Sequence, residues 1–176
     1  MTDFTKLAEQ YGPLAPGWGN PRSGIVFIGD APGKRELLTG EPFSGVSGRF
    51  FDDLLASIDL PRTDIYLTNA VKFRPEKRDP NKQEIAAFRP LLMQELHDIR
   101  PKLVVTLGRI SLNCFLPLMK ISDIHGQDFE MNIDGWHFIL MPLYHPAAAM
   151  HNGQMRPMLK NDFLKLGEVW QRLDSD

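Results

Sequence analysis

The sequence predicts an α/β fold, a three-layer α/β/α sandwich around a central, mainly parallel four-stranded sheet, and three observations carry that expectation. Short apolar runs rich in β-branched residues, GIVFIG (24–29), DIYLTN (64–69) and KLVVTLG (102–108), each stop at glycine or a polar turn residue, as buried parallel strands do. Stretches with apolar residues at helical spacing separate them. Strand then alternates with helix, and such crossovers are right-handed and place helices on both faces of the sheet.

The elements follow in order. SGRFFDDLLASIDL (47–60) reads as a helix with Ser47 as its N-cap. NKQEIAAFRPLLMQELHDIR (81–100) reads as a longer one, capped by Asn81 with Glu84 three residues on, and kinked at Pro90. After the third strand, GRISLNCFLPLM (108–119) gives a short helix. DFEMNIDGWHFILMPLYHP (128–146) reads as two strands joined by a hairpin turn at Asp134-Gly135, and MRPMLKNDFLKLGEVWQRL (155–173) closes the fold as a helix. A length of 176 residues suits a single domain over residues 1–176, large enough to bury roughly two-thirds of its unfolded-chain surface.

Composition removes several classes of function. The start, MTDFTKLAEQ, lacks a basic region followed by an apolar core, and no apolar run approaches the roughly 20 residues that span a bilayer. The expectation is a cytoplasmic monomer without membrane contact. A lone cysteine, Cys114, excludes an internal disulfide, and no Cys-x-x-Cys pair or close histidines suggest zinc, so neither metal nor cofactor is expected. The net charge of −2 argues against a protein that coats nucleic acid through bulk positive charge. KFRPEKRDPNK (72–82) is the local exception: Lys72, Arg74, Lys77, Arg78 and Lys82 stand against Glu76 and Asp79, a net of +3. That run either meets phosphate or is a solvated loop.

Open parallel sheets bind ligands beyond the carboxyl ends of their strands. Asp30 follows the first strand, Asn69 ends the second and His145 follows HFILMPLY, so residues distant in sequence converge on one edge. The alternative for each is a turn or helix cap. Gly29-Asp-Ala-Pro-Gly33-Lys34 is one residue short of a phosphate loop and has no Ser or Thr after the lysine; it also lacks the spacing of a dinucleotide turn. What remains is a rigid turn presenting an acid and the backbone around Gly29, Ala31 and Gly33. Pro42-Phe43, between Gly40 and Gly45, then supplies either a core ring or one that stands beside a flat ligand.

The segments GDAPGKRELLTGEPFSGVSGRFFDDLL, IYLTNAVKFRP, IRPKLVVTLG and HPAAAM resemble, in order and spacing, the uracil-DNA glycosylase superfamily, most closely its family-four branch, over about Pro16 to Trp170. The resemblance implies a monofunctional glycosylase that hydrolyses the N-glycosidic bond of uracil in single- or double-stranded DNA, in base excision repair. It assigns Asp30 to the first-motif acid, Phe43 to the ring that stacks on the extruded base, Asn69 to reading the uracil edge and His145 to the closing motif. Glu36 falls where the family has an acid after the Pro-Gly turn, with uracil C5 or a water as its partner; a surface glutamate is the alternative. In HPAAAMHNGQMR, Met150 takes the place of a wedge in the duplex and Arg156 that of a phosphate contact, beside Lys72, Arg74, Lys77 and Arg78.

The chemistry accounts for each residue type. Breaking the bond builds positive charge on the deoxyribose and negative charge on uracil, which calls for a carboxylate near the sugar and donors near O2. A side-chain amide accepts from N3–H and donates to O4.

Two departures stand out. The first-motif acid is Asp where the family has Glu. The branch also holds an iron–sulfur cluster on four cysteines, whereas this chain has Phe73 and Phe88 at two of those places and no cysteine in its N-terminal segment, so the cluster is expected to be absent and its volume filled by aromatic packing. A glycosylase for another deaminated base, a non-catalytic module that binds DNA or uracil, and a nucleotide-binding regulator remain as alternatives.

Overall fold

The computed structural model describes residues 4–175. In chain order the elements are α1 (Phe4–Tyr11), β1 (Trp18–Gly19), β2 (Ile25–Gly29), α2 (Lys34–Thr39), α3 (Val46–Ala56), β3 (Tyr66–Asn69), α4 (Lys82–Ile99), β4 (Leu103–Leu107), α5 (Arg109–Asn113), α6 (Ile121–Ile124), β5 (Phe129–Ile133), β6 (Trp136–Leu143), α7 (Ala148–His151) and α8 (Met155–Asp174). The sheet runs β1-β3-β2-β4-β6-β5. Its centre is four parallel strands, β3, β2, β4 and β6, and an antiparallel strand flanks each side to make six.

Alternation along the central strands divides the core into two layers. Ile25 and Phe27 of β2 face Phe51, Leu54 and Leu55 of α3 and Leu159, Phe163 and Leu166 of α8. Val26 and Ile28 face the other way, with Leu92 and Leu96 of α4 and Ile110 of α5. Residues 25–29 are buried throughout, which is why this segment reads as continuous apolar sequence. A smaller cluster of Leu7, Val71, Phe73 and Phe88 ties α1 to α4.

Local chemistry explains most boundaries. Asn81 accepts from the Glu84 N–H while the Glu84 carboxylate accepts from the Asn81 N–H, a complete capping box. Asp134 and Gly135 both have positive φ, 50° and 80°, as a type I′ hairpin turn requires. Two expectations change. The 46–56 helix is capped by Gly45 rather than Ser47, with no side-chain cap, and α4 runs unbroken through Pro90. β1, only two residues long, has no periodic signature to find.

Candidate active site

Each of the four parallel strands delivers a residue to the same edge. Asp30 follows β2, Asn69 ends β3, Gly108 follows β4 and His145 lies two residues past β6. The chain leaves β2 toward β3 on one side and reaches β4 on the other, so this edge is the sheet's topological switch point.

At its centre Asn69 is 5% exposed, and its side-chain amide has no hydrogen-bond partner among the described residues. Its Oδ1 lies where a Cβ on Gly29 would be, 2.4 Å away, and Phe43 Cζ is 3.7 Å from the same point. Gly29 is thus required by the close approach of the amide. The side chain is sheltered but its amide atoms are not among the fully enclosed unpaired ones, which are Ser44 Oγ and Thr106 Oγ1, so the amide is open to water and free to bond a ligand that displaces it.

Phe43 is 4% exposed and sits between two near-parallel rings, Phe51 at 4.7 Å and His145 at 5.3 Å. Its backbone is left-handed, φ 54°, an uncommon conformation for a bulky residue. Ser44, next in the chain, has a buried hydroxyl without a partner.

His145 is held in one tautomer. Its Nδ1 accepts from the Ala147 N–H at 3.0 Å, and burial lowers its pKa to about 4, so the neutral ring carries its proton on Nε2. That leaves Nε2–H as a donor.

Asp30 is half-buried. Burial raises its pKa above the ordinary carboxyl value, opposed first by the N–H of Ser111, which donates to Oδ1 at 2.8 Å, then by the Ser111 hydroxyl and the Ile110 N–H, and least by the charge of Arg109. A Cβ on Gly108 would lie 2.5 Å from Oδ2, so the glycine leaves room for the carboxylate. Asp30 opens onto a cleft of about 570 Å³ lined also by Ala31, Pro32, Arg74, Lys77 and Arg78.

The basic loop divides. Arg74, Lys77 and Arg78 are exposed, Arg78 pairing with both oxygens of Glu84 at 2.7 and 2.8 Å. Lys72, expected at the DNA surface, is instead 2% exposed: its Nζ donates to Glu95 Oε2 at 2.6 Å and also contacts Thr68 Oγ1, on the α4 side of β3. Two apolar neighbours, Val71 and Phe73, carry it inward. Met150 likewise packs against the α3–α8 core, so it is not a free wedge. Arg156 is exposed, its guanidinium 5.3 Å over Phe50. Glu36 has a different partner from the base or water expected of it: Oε1 accepts from the Phe43 N–H at 2.9 Å.

Phe73 and Phe88, at the positions where the resemblance puts two cluster cysteines, pack together with Tyr11. Tyr11, Phe73 and Phe88 lie 4.8, 5.3 and 5.6 Å apart, pair by pair. Cys114 is buried elsewhere, its thiol raised to about 11 by burial and within 3.5 Å of the Ile110 carbonyl. Among the described residues no three His, Cys, Asp or Glu side chains gather to hold a metal. Aromatic faces offer iron no thiolate, and the residues present do not fit an iron–sulfur cluster.

Sequence reasoning missed Arg62, whose guanidinium donates to the carbonyls of Pro42 and Phe43, each at 2.7 Å. It lies outside every motif and 19 residues from Phe43, and nothing local signals it.

Fold and site together define a class, the uracil DNA glycosylase superfamily. The family model matches residues 16–173, and the chain belongs to that superfamily. It is 41% identical over 161 residues to the type-4 uracil-DNA glycosylase of Saccharolobus solfataricus, covering 88% of this chain and 74% of that one. It is equally 41% identical, over 173 residues, to the type-4 enzyme of Archaeoglobus fulgidus, covering 95% and 85%. The type-5 uracil-DNA glycosylase of Thermus thermophilus is 35% identical over 116 residues, or 57% of this chain and 53% of that one.

Proposed function

We propose that this protein is a monofunctional uracil-DNA glycosylase that hydrolyses the N-glycosidic bond of uracil in single- or double-stranded DNA, acting as a cytoplasmic monomer of one domain. The observation that carries the reading is the unpartnered Asn69 amide, buried beside the Phe43 ring at the carboxyl edge of the sheet. An extruded uracil supplies what that amide lacks: N3–H donates to Oδ1 and O4 accepts from the amide nitrogen.

The remaining groups fall into place around that base. Phe43 has no free face, and of its two ring neighbours His145 is half-buried whereas Phe51 is fully buried, so uracil enters by moving the imidazole aside. Stacking on Phe43 then returns about 1–3 kcal/mol toward the cost of extrusion. As the glycosidic bond breaks, its electron pair leaves with uracil N1 and charge accumulates on O2, where the His145 Nε2–H and backbone N–H groups of the 29–33 turn donate. Asp30 faces the cationic sugar that remains; water adds to C1′ and gives up a proton to solvent, while the departing uracil anion takes one up, leaving a C1′ hydroxyl and neutral uracil. Lys72, the lysine nearest Asn69 in the chain, is engaged with Glu95 and Thr68, which supports attack by water over attack by an amine. The exposure of Arg74, Lys77, Arg78 and Arg156 supports their meeting phosphates.

The test is incubation with an oligonucleotide containing one uracil, followed by alkaline cleavage. Strand scission at the uracil, reduced in Asn69→Ala, is expected; an intact strand together with tight binding would leave a module that recognises DNA without cutting the bond. Cleavage at hypoxanthine but not uracil would transfer the activity to another deaminated base.

A further inference from the structure

We infer that Arg62 and Glu36 are positioning residues that grip the Phe43 peptide from both ends and so aim the base-stacking ring. The inference rests on the reading of Phe43 as the stacking residue. Phe43 adopts φ 54°, a backbone conformation that side chains with a Cβ avoid, and such a residue persists only where its surroundings over-determine it.

The surroundings here are two ionised side chains. On the amino side, Glu36 Oε1 accepts the Phe43 N–H at 2.9 Å, reaching across seven residues from α2. From the other side, the Arg62 fork donates through Nη1 to the Pro42 carbonyl, which shares a peptide group with the Phe43 N–H, and through Nη2 to the Phe43 carbonyl of the next peptide, each at 2.7 Å, with a longer contact to the Gly48 carbonyl at 3.4 Å. Asp52 fixes the guanidinium from α3 by accepting its Nε–H at 2.5 Å. Anion on the N–H and cation on the C=O match the peptide's own dipole at each end, and charge-assisted bonds of this kind are the stronger class.

Two further features point the same way. The Arg62 guanidinium lies 5.7 Å over Phe51, which stacks on Phe43, so one side chain supports both the backbone and the floor of the ring column. Gly48 comes so close that a Cβ there would overlap the Phe43 carbonyl oxygen, so only glycine at that position lets the carbonyl take the orientation Arg62 binds. Arg62 itself is largely sheltered, with 16% of its side-chain surface exposed, and its donors are spent on the protein, unlike those of a surface arginine waiting for phosphate. Lysine cannot replace it, because a single ammonium does not span two carbonyls and a carboxylate in one plane.

The experiment compares Arg62→Gln, Arg62→Lys, Glu36→Ala, Glu36→Gln and Phe43→Ala, singly and with Arg62→Gln combined with Phe43→Ala. It measures single-turnover excision from a uracil-containing oligonucleotide, affinity for the same duplex carrying a non-hydrolysable uracil analogue, and melting temperature. A loosened stacking group should slow excision by about 10–100-fold. Arg62→Gln and Glu36→Ala are expected in that range, Arg62→Lys close to Arg62→Gln, and Glu36→Gln, which retains the acceptor, close to the parent.

In the Phe43→Ala background, Arg62→Gln should add less than about threefold, because residues acting through one group are not additive. Glu36 is on a short surface helix, so its pair of variants reads the grip even where the Arg62 variants fold poorly. An Arg62→Gln loss of equal size with and without the Phe43 ring overturns the inference, as does folded Glu36→Ala excising at the parental rate. Phe43→Ala at the parental rate removes the stacking role itself, and the grip with it, a result told apart by appearing without any change at Arg62 or Glu36.

Discussion

Replacing Asp30 by Asn should separate activity from stability, and in opposite directions. The carboxylate of Asp30 is desolvated, and its pKa is raised for that reason. A carboxyl whose folded pKa lies above its unfolded value costs stability once both states are ionised; the cost is absent below the ordinary value of 3.8 and complete above the folded one. The amide of Asn still accepts from the Ser111 N–H, now held at 2.8 Å by Oδ1, and carries no charge to bury. Asp30→Asn is therefore expected to melt at or above the parental temperature at pH 7, with the difference shrinking toward pH 4.

For the reaction the same charge matters most when the sugar is cationic. At a separation of about 5 Å and an effective dielectric near 20, the Coulomb attraction is ~3 kcal/mol, which corresponds to about two orders of magnitude in rate. Single-turnover excision with enzyme in excess should fall by about that factor, while affinity for uracil-containing DNA, set by ground-state contacts, holds within a few-fold. Parental excision by Asp30→Asn would refute the electrostatic role. A large drop in melting temperature would refute the claim that Asp30 is held in the fold at a cost.

Asn69→Ala should cost excision much more than stability, since its amide has no partner among the described residues to lose; a variant that melts far below the parent yet excises normally per folded molecule would make Asn69 structural. The imidazole of His145, with its pKa lowered to about 4, should stay neutral in a nuclear magnetic resonance titration from pH 8 to 5. Its folded pKa lies below the unfolded value of about 6.5, so its contribution is present above that pH and lost as pH falls toward 4, at most ~1.4 kcal/mol per pH unit. Lys77→Glu with Arg78→Glu should lower the salt slope of DNA binding by up to ~0.9 for each phosphate contact removed. Lys72→Met should leave that slope unchanged and instead lower stability, by about 3–5 kcal/mol in the range seen when one partner of a buried ion pair is removed, read by chemical denaturation.

The parallel centre of the sheet was legible because burial on both faces writes itself as unbroken apolar sequence, as in Ile25–Gly29. The Asn81–Glu84 box and the Asp134-Gly135 turn were legible because each is satisfied within a few residues. Asp30, Phe43, Asn69 and His145 could be named from strand ends and motif order, and the structure brings them to one edge. Lys72 was misplaced because charge counting cannot see a partner 23 residues away; Glu95 draws the ammonium inward. Glu36 and Arg62 were misread or missed for a related reason: the groups of the 42–43 turn that they hold are backbone N–H and C=O of Pro42 and Phe43, which leave no mark in side-chain chemistry.

The rings of Tyr11, Phe73 and Phe88 alter what the first helix depends on. A cluster held by thiolates binds chain segments only after metal has been delivered, and fails when it is oxidised or stripped. Here α1 is joined to α4 by apolar contact that forms together with the rest of the core and needs no delivery. Chelators, peroxide and iron starvation have no purchase on that joint, and the sole thiol, Cys114, is too deeply protonated to offer them one.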